Sequence, residues 1–193
     1  IQGQRLASDS MSGNNEWDWD MLRRINYMLA NSSNCEDEAL RTKYDGIAYF
    51  FRAYFYFQKV MRFGDVPYYD TVLESTDDEF LNKARDDRGF VMDKVMEDFD
   101  KAIEMIPDAK DAYSARVTKW VALAMKSRAA LFEGTWRKYH GMPDAEKYLQ
   151  QAAAAAKTFI DESGYILYNQ GEEPYRDLFC SDRAKTEEVV FAR

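Results

Sequence analysis

Histidine is almost missing from this sequence. His140 is the single one among 193 residues, so a multi-histidine metal centre is excluded. Cysteine is nearly as scarce. Cys35 and Cys180 lie far apart, in no C-x-x-C or zinc-like spacing, and two free thiols are the expected state. Four prolines and nine glycines are too few for collagen or for a low-complexity linker. No apolar run approaches the ~20 residues that a membrane-spanning helix needs. Positive charge is in deficit: 26 basic residues face 34 acidic ones, for a net charge of −8. Nucleic-acid binding and adhesion to anionic lipid both call for a basic face, so neither is expected. The chain opens on Ile1-Gln2-Gly3 without a signal peptide, and both ends are expected to be cut ends.

What is present is a core-forming composition. Hydrophobic residues make up 46% and aromatics 15%. A single domain of this size buries roughly 70% of its unfolded surface. The first sixteen residues are polar, and Asn14 or Asn15 is expected to cap a first helix in which Leu22, Ile25 and Leu29 form one stripe. A second helix is predicted over residues 36–63, closed by Gly64 with Pro67 just beyond. Seven of its nine residues from 49 to 57 are aromatic. Arg41, Asp45, Arg52 and Lys59 share its one narrow polar stripe, so it is expected to be central and packed on several sides. Arg52, if buried, needs a carboxylate, and Asp45 or Asp65 is the expected partner.

Residues 68–87 read as a long loop lying against something. Asp86 or Asp87 then caps a helix that Pro107 stops. Its buried stripe is Val91, Val95, Phe99, Ala102, Ile103 and Ile106, with Glu97, Asp98 and Asp100 facing out. Ser114 is expected to introduce the next helix, with Val117, Trp120, Val121, Ala124 and Leu131 as its apolar positions. Pro143 fits the first turn of a helix ending at Ser163-Gly164, whose alanine run from 152 to 156 admits a close neighbour. A helical turn near Pro174 follows, and the last residues read as a strand without a partner. The fold class is therefore all-α, built of tetratricopeptide-like helical hairpins with a short irregular or strand segment at the C-terminal end.

Catalytic chemistry is hard to find. No phosphate-binding glycine loop or nucleophile elbow occurs. Asp77-Asp78-Glu79 lacks calcium-loop spacing and reads as a solvated loop, so no metal site is expected. Glu133, Arg137 and His140 lie near one helix end, and read as a capped terminus in preference to an acid–base group. Trp17 and Trp19 have more to offer. An indole beside asparagine and aspartate side chains suits stacking on a sugar face and bonding to its hydroxyls, so Asn14, Asn15, Trp17 and Trp19 form the candidate ligand site. The competing reading is that these indoles pack inward.

Four segments together resemble the SusD/RagB family, the surface glycan-binding lipoproteins of Bacteroidetes. The first is Arg52-Ala53-Tyr54-Phe55-Tyr56-Phe57 leading into Arg62-Phe63-Gly64-Asp65-Val66-Pro67-Tyr68. The second is Asp87-Arg88-Gly89-Phe90-Val91-Met92-Asp93, continuing to Glu97-Asp98-Phe99. The third joins Arg116-Val117-Thr118-Lys119-Trp120 to Ser127-Arg128-Ala129-Ala130-Leu131-Phe132-Glu133-Gly134-Thr135-Trp136. The fourth joins Ser163-Gly164-Tyr165 to Glu188-Val189-Val190-Phe191.

The resemblance implies a non-catalytic, cofactor-free protein. It would bind oligosaccharide at the cell surface and deliver it to a SusC-like TonB-dependent transporter of the outer membrane. Membrane attachment would come only through a lipid anchor outside this sequence, since neither Cys35 nor Cys180 is placed as the anchor. Residues 1–193 are then expected to be the N-terminal helical-repeat part of a longer protein. A peptide-binding member of the same family and a generic helical scaffold for protein partners are the alternatives.

Overall fold

The computed structural model describes residues 17–74 and 76–192. Its helices are α1 (Asp20–Asn31), α2 (Glu38–Phe63), α3 (Asp78–Leu81), α4 (Arg88–Met105), α5 (Lys119–Tyr139), α6 (Ala145–Glu162) and α7 (Pro174–Cys180). The described residues hold no strand, only an isolated bridge between Val66 and Asp86.

Local chemistry sets most helix ends. The Asp37 carboxylate accepts from Leu40 N–H, Asp87 from Gly89 and Phe90 N–H, and the Thr118 hydroxyl from Val121 N–H. Gly64 ends α2 at φ 71°, a backbone position that favours glycine. Three expected starts are corrected. Asn14 and Asn15 lie outside the described residues, and α1 begins at Asp20 with Trp19 in the cap position. Ser114 does not start α5; it holds φ 52° in the preceding turn, and Thr118 caps instead. Pro143 lies ahead of α6, because Asp144 takes a left-handed φ of 64° before the first turn.

Successive long helices pack side by side and antiparallel, in the order α1, α2, α4, α5, α6. Contacts across each pair fix the direction. Between α1 and α2, Ser32 meets Asp45 and Asn26 meets Arg52. Between α2 and α4, Arg52 meets Asp98, and Gly46 faces Met105. Between α5 and α6, Ser127 meets Ala152, and Gly134 faces Leu149. The alanine run serves as the expected close-packing face, with Ala152 and Ala155 buried. The main core joins Phe50, Ala53, Tyr56 and Phe57 of α2 to Val91, Val95 and Phe99 of α4 and to Ala122 and Ala129 of α5. Each such large side chain contributes roughly 1.5–3 kcal/mol on full burial.

Three helix faces differ from their sequence reading. Asp98 was expected outside and is buried, 2% exposed. On α2, Arg52 and Lys59 are buried, while Phe51 and Tyr54 are each 40% exposed. The helix is central, but its open side is an aromatic row and its charged stripe is partly inside. On α5 the packed residues include Leu123, Ala129 and Ala130, and Leu131 points outward.

The C-terminal segment is irregular. A turn at Lys185 takes N–H bonds from Glu188 and Val189, and the chain then lies on the turn before α5. Ala192 N–H donates to Ser114 O at 2.6 Å, and the Ser114 hydroxyl donates to Val189 O. These residues find a turn and the 165–168 segment as partners, with Glu187 O accepting Ile166 N–H at 2.9 Å, and no strand ladder forms among the described residues.

Candidate functional site

The connection from α2 to α4 is pinned to the helices beneath it. The Arg52 guanidinium donates to Asp98 at 2.7 and 2.8 Å, to Asn26 Oδ1 at 3.3 Å and to Asp70 O at 3.4 Å. Asp45 and Asp65, the partners expected for Arg52, serve elsewhere: Asp45 accepts from Ser32 and Asp65 from Arg88 N–H. Asp98 wins because it projects from the helix packed directly against Arg52. Burial alone would lower the Arg52 pKa, but the hydrogen bonds and charge of Asp98 hold it above its ordinary value. Asn26 donates to Tyr69 O and Thr71 O, while Tyr56 OH receives Tyr69 N–H at 2.6 Å. The long loop expected to lie against something is thereby held as one wall of a cleft.

The opposite wall is the approach to α1. Together they enclose about 700 Å³, lined by Trp17, Trp19, Arg23, Tyr69, Lys83 and Arg85 among others. Both indoles are half-buried. Trp17 meets Phe63 edge-on at 4.9 Å and Trp19 at 5.3 Å. Trp19 meets Phe55 at 5.5 Å and Tyr69 at 5.9 Å. Lys59 Nζ lies 5.3 Å from the Trp19 ring centre, and the Arg85 guanidinium lies 4.9 Å from that of Trp17. At an exposed position such a cation–π contact is worth about 0.5–1 kcal/mol. Lys83 is committed to the wall itself, with Asp86 at 2.7 Å and Tyr68 O at 2.8 Å.

Of the four sequence candidates, the structure brings Trp17 and Trp19 to this cleft, and Asn14 and Asn15 lie outside the described residues. Sequence reasoning missed Tyr69, Arg23 and Arg85. The length of the 68–87 loop was the one available signal, and it named no residue.

A second, larger hollow of about 1090 Å³ runs along the open side of α2, past Met21, Phe51, Tyr54 and Met61. Gln58, Lys59 and Arg62 line it as well.

The Glu133 group is structural. Its carboxylate is fully buried and takes Arg88 at 2.7 Å and Arg137 at 2.7 Å. His140 is exposed, stacked on Trp136 with ring centres 4.2 Å apart, and shares no contact with Glu133. Among the described residues no cluster of three metal-ligating side chains occurs, and Cys35 and Cys180 are free and exposed.

Antiparallel helix pairs with an irregular connection folded over one end define a helical-hairpin scaffold. A family model described as starch-binding and associating with the outer membrane matches residues 5–131, and the chain belongs to this SusD-like family. Among solved structures, a SusD-like protein from Bacteroides fragilis is 25% identical with TM-score 0.70, over 88% of this chain and 31% of that one. A laminarin-binding SusD-like protein is 22% identical with TM-score 0.73, over 93% of this chain and 37% of its own. A structure with xylogluco-oligosaccharide is 23% identical with TM-score 0.71, over 89% and 33%. The chain thus spans about a third of the length of these structures. No curated protein matches the sequence at a significant level.

Proposed function

We propose that this chain is the front helical part of a non-catalytic cell-surface protein that binds oligosaccharide. The protein would pass its cargo to a SusC-like TonB-dependent transporter, held at the outer membrane by a lipid anchor outside this sequence. The observation that carries the reading is family membership over residues 5–131, in a family described as starch-binding. Two similarly folded proteins, one laminarin-binding and one solved with xylogluco-oligosaccharide, support a carbohydrate ligand.

The cleft supplies a place for it. Half-buried indoles at Trp17 and Trp19 offer apolar rings, and Asp20 and Glu74 on the same walls offer acceptors for sugar hydroxyls. Asn14 and Asn15, adjacent in sequence to Trp17, remain part of the proposed site.

Calorimetry on the intact protein against plant, host and microbial glycans tests this. Binding to at least one, weakened about tenfold or more by Trp17→Ala, is expected, a loss of roughly 1.4 kcal/mol. A clean negative across all three groups removes the carbohydrate claim, and binding to peptides instead would select the peptide-binding variant. Co-purification of a TonB-dependent transporter from outer membranes tests the partner.

A helical scaffold for protein partners is the second reading. It draws on the exposed row of α2, in which Leu40, Tyr44, Phe51, Tyr54 and Met61 recur at helical spacing. The encoding gene decides between them: a lipoprotein signal and a neighbouring transporter gene favour the first.

A further inference from the structure

We infer that the cleft beside Trp17 takes an acidic oligosaccharide bearing uronic-acid carboxylates, and that Arg85 reads the charge. This rests on the carbohydrate reading above and deepens it.

Two guanidiniums line the cleft: Arg23 on α1 and Arg85 at the end of the connection, both exposed. Among the described residues neither side chain forms a hydrogen bond or an ion pair, and the Arg85 head lies 4.9 Å from the centre of the Trp17 ring. The buried arginines of the molecule are used differently. Arg52 is locked on Asp98, and Arg88 and Arg137 on Glu133. The carboxylates in the cleft, Asp20 and Glu74, pair with neither Arg23 nor Arg85. Lys83, the remaining cation, is held by Asp86. So two planar forks suited to carboxylate stand open in one aromatic cleft, on a chain whose net charge of −8 otherwise repels anions.

The position of Arg85 links charge to stacking. Its guanidinium covers part of a Trp17 face. A neutral sugar must move it aside and offers it no counter-charge. A uronate offers both oxygens of a carboxylate. The guanidinium turns to that carboxylate and brings the sugar to the aromatic wall of the cleft. Arg23 supplies a second cation along the same cleft, which fits a chain with more than one acid group.

The test uses the intact protein and oligosaccharides containing glucuronate, galacturonate or mannuronate, each beside its carboxyl-reduced neutral counterpart. Calorimetry is expected to show at least one acid binding about tenfold or more tighter than its reduced form, with an affinity that falls as salt rises. Arg85→Gln is expected to abolish the preference: the acid binds more weakly, and the reduced form binds about as before. Thermal unfolding of the variant checks that the fold is kept. If reduced forms bind as well as acids, or the preference survives Arg85→Gln, the inference falls and the carbohydrate reading stands. If no glycan of either kind binds, the carbohydrate reading falls and takes this inference with it.

Discussion

Asp98 grips Arg52 through both carboxylate oxygens, Nε to Oδ2 at 2.7 Å and Nη2 to Oδ1 at 2.8 Å, across 46 positions of sequence. Both side chains are buried, and the same guanidinium reaches Asn26 on α1 and the backbone of Asp70. One ion pair therefore ties α1, α2, α4 and the wall of the cleft together.

Asp98→Asn keeps the volume and removes the charge that balances Arg52. It should destabilise the protein by about 3–5 kcal/mol, because an uncompensated buried guanidinium remains. Adding Arg52→Leu should restore part of that loss. Chemical denaturation measures both; a loss under about 1 kcal/mol for the single variant would show that the pair is not holding the helices.

Gly46→Ala tests the closest approach of α2 and α4. An added Cβ would meet Met105 Cβ at 2.8 Å and Ile106 Cγ1 at 3.0 Å. Alanine would ordinarily favour the helix by about 1 kcal/mol. Overpacking costs about 1–3 kcal/mol and should win, so the melting temperature falls. A rise would mean that the two helices separate freely.

Tyrosine ionisation should set an alkaline limit. Burial pushes Tyr56, Tyr68 and Tyr148 far above the ordinary tyrosine value, and the carboxylate of Asp93 adds to the rise at Tyr148. Their folded pKa values exceed the unfolded ones, so the contribution is fully present below the unfolded value of ~10 and is lost as pH climbs toward the folded values. Circular dichroism and tyrosinate absorbance should therefore change together above pH ~10. Ionisation of every tyrosine ahead of unfolding would contradict this.

Ser114→Ala removes the hydroxyl that donates to Val189 O. A net loss of about 1 kcal/mol is expected, concentrated in the tail. Hydrogen exchange should quicken at Ala192, whose N–H is bonded to Ser114 O, with little change in α2 and α4. Uniform quickening across the chain would show that the tail is part of the main cooperative unit.

The two tryptophans illustrate how far the site could be read in advance. Indoles beside polar side chains pointed to a sugar-binding surface, and Trp17 and Trp19 do line a cleft. Both are half-buried and pack on Phe63, Phe55 and Tyr69, so each indole also rests against the core. Arg85 and Tyr69 were invisible, because they lie far along the chain and no local pattern marks the meeting of Arg85 with Trp17 or of Tyr69 with Trp19. The turn at Ser114 was misread for a related reason: a serine before an apolar run looks like a cap, and only the returning tail reveals its other role.

Local residue patterns are enough to make the chain helical, to place the ends of α2 and α4, and to turn Val91, Val95 and Phe99 inward. Those properties follow from caps, breakers and periodicity, which act within a few residues. Tertiary structure alone decided that Asp98 lies inside and Phe51 outside, that Arg52 takes its carboxylate from α4, and that a distant loop closes over Trp17. Periodicity defines the faces of a helix, but which face is buried depends on the neighbours that fold against it.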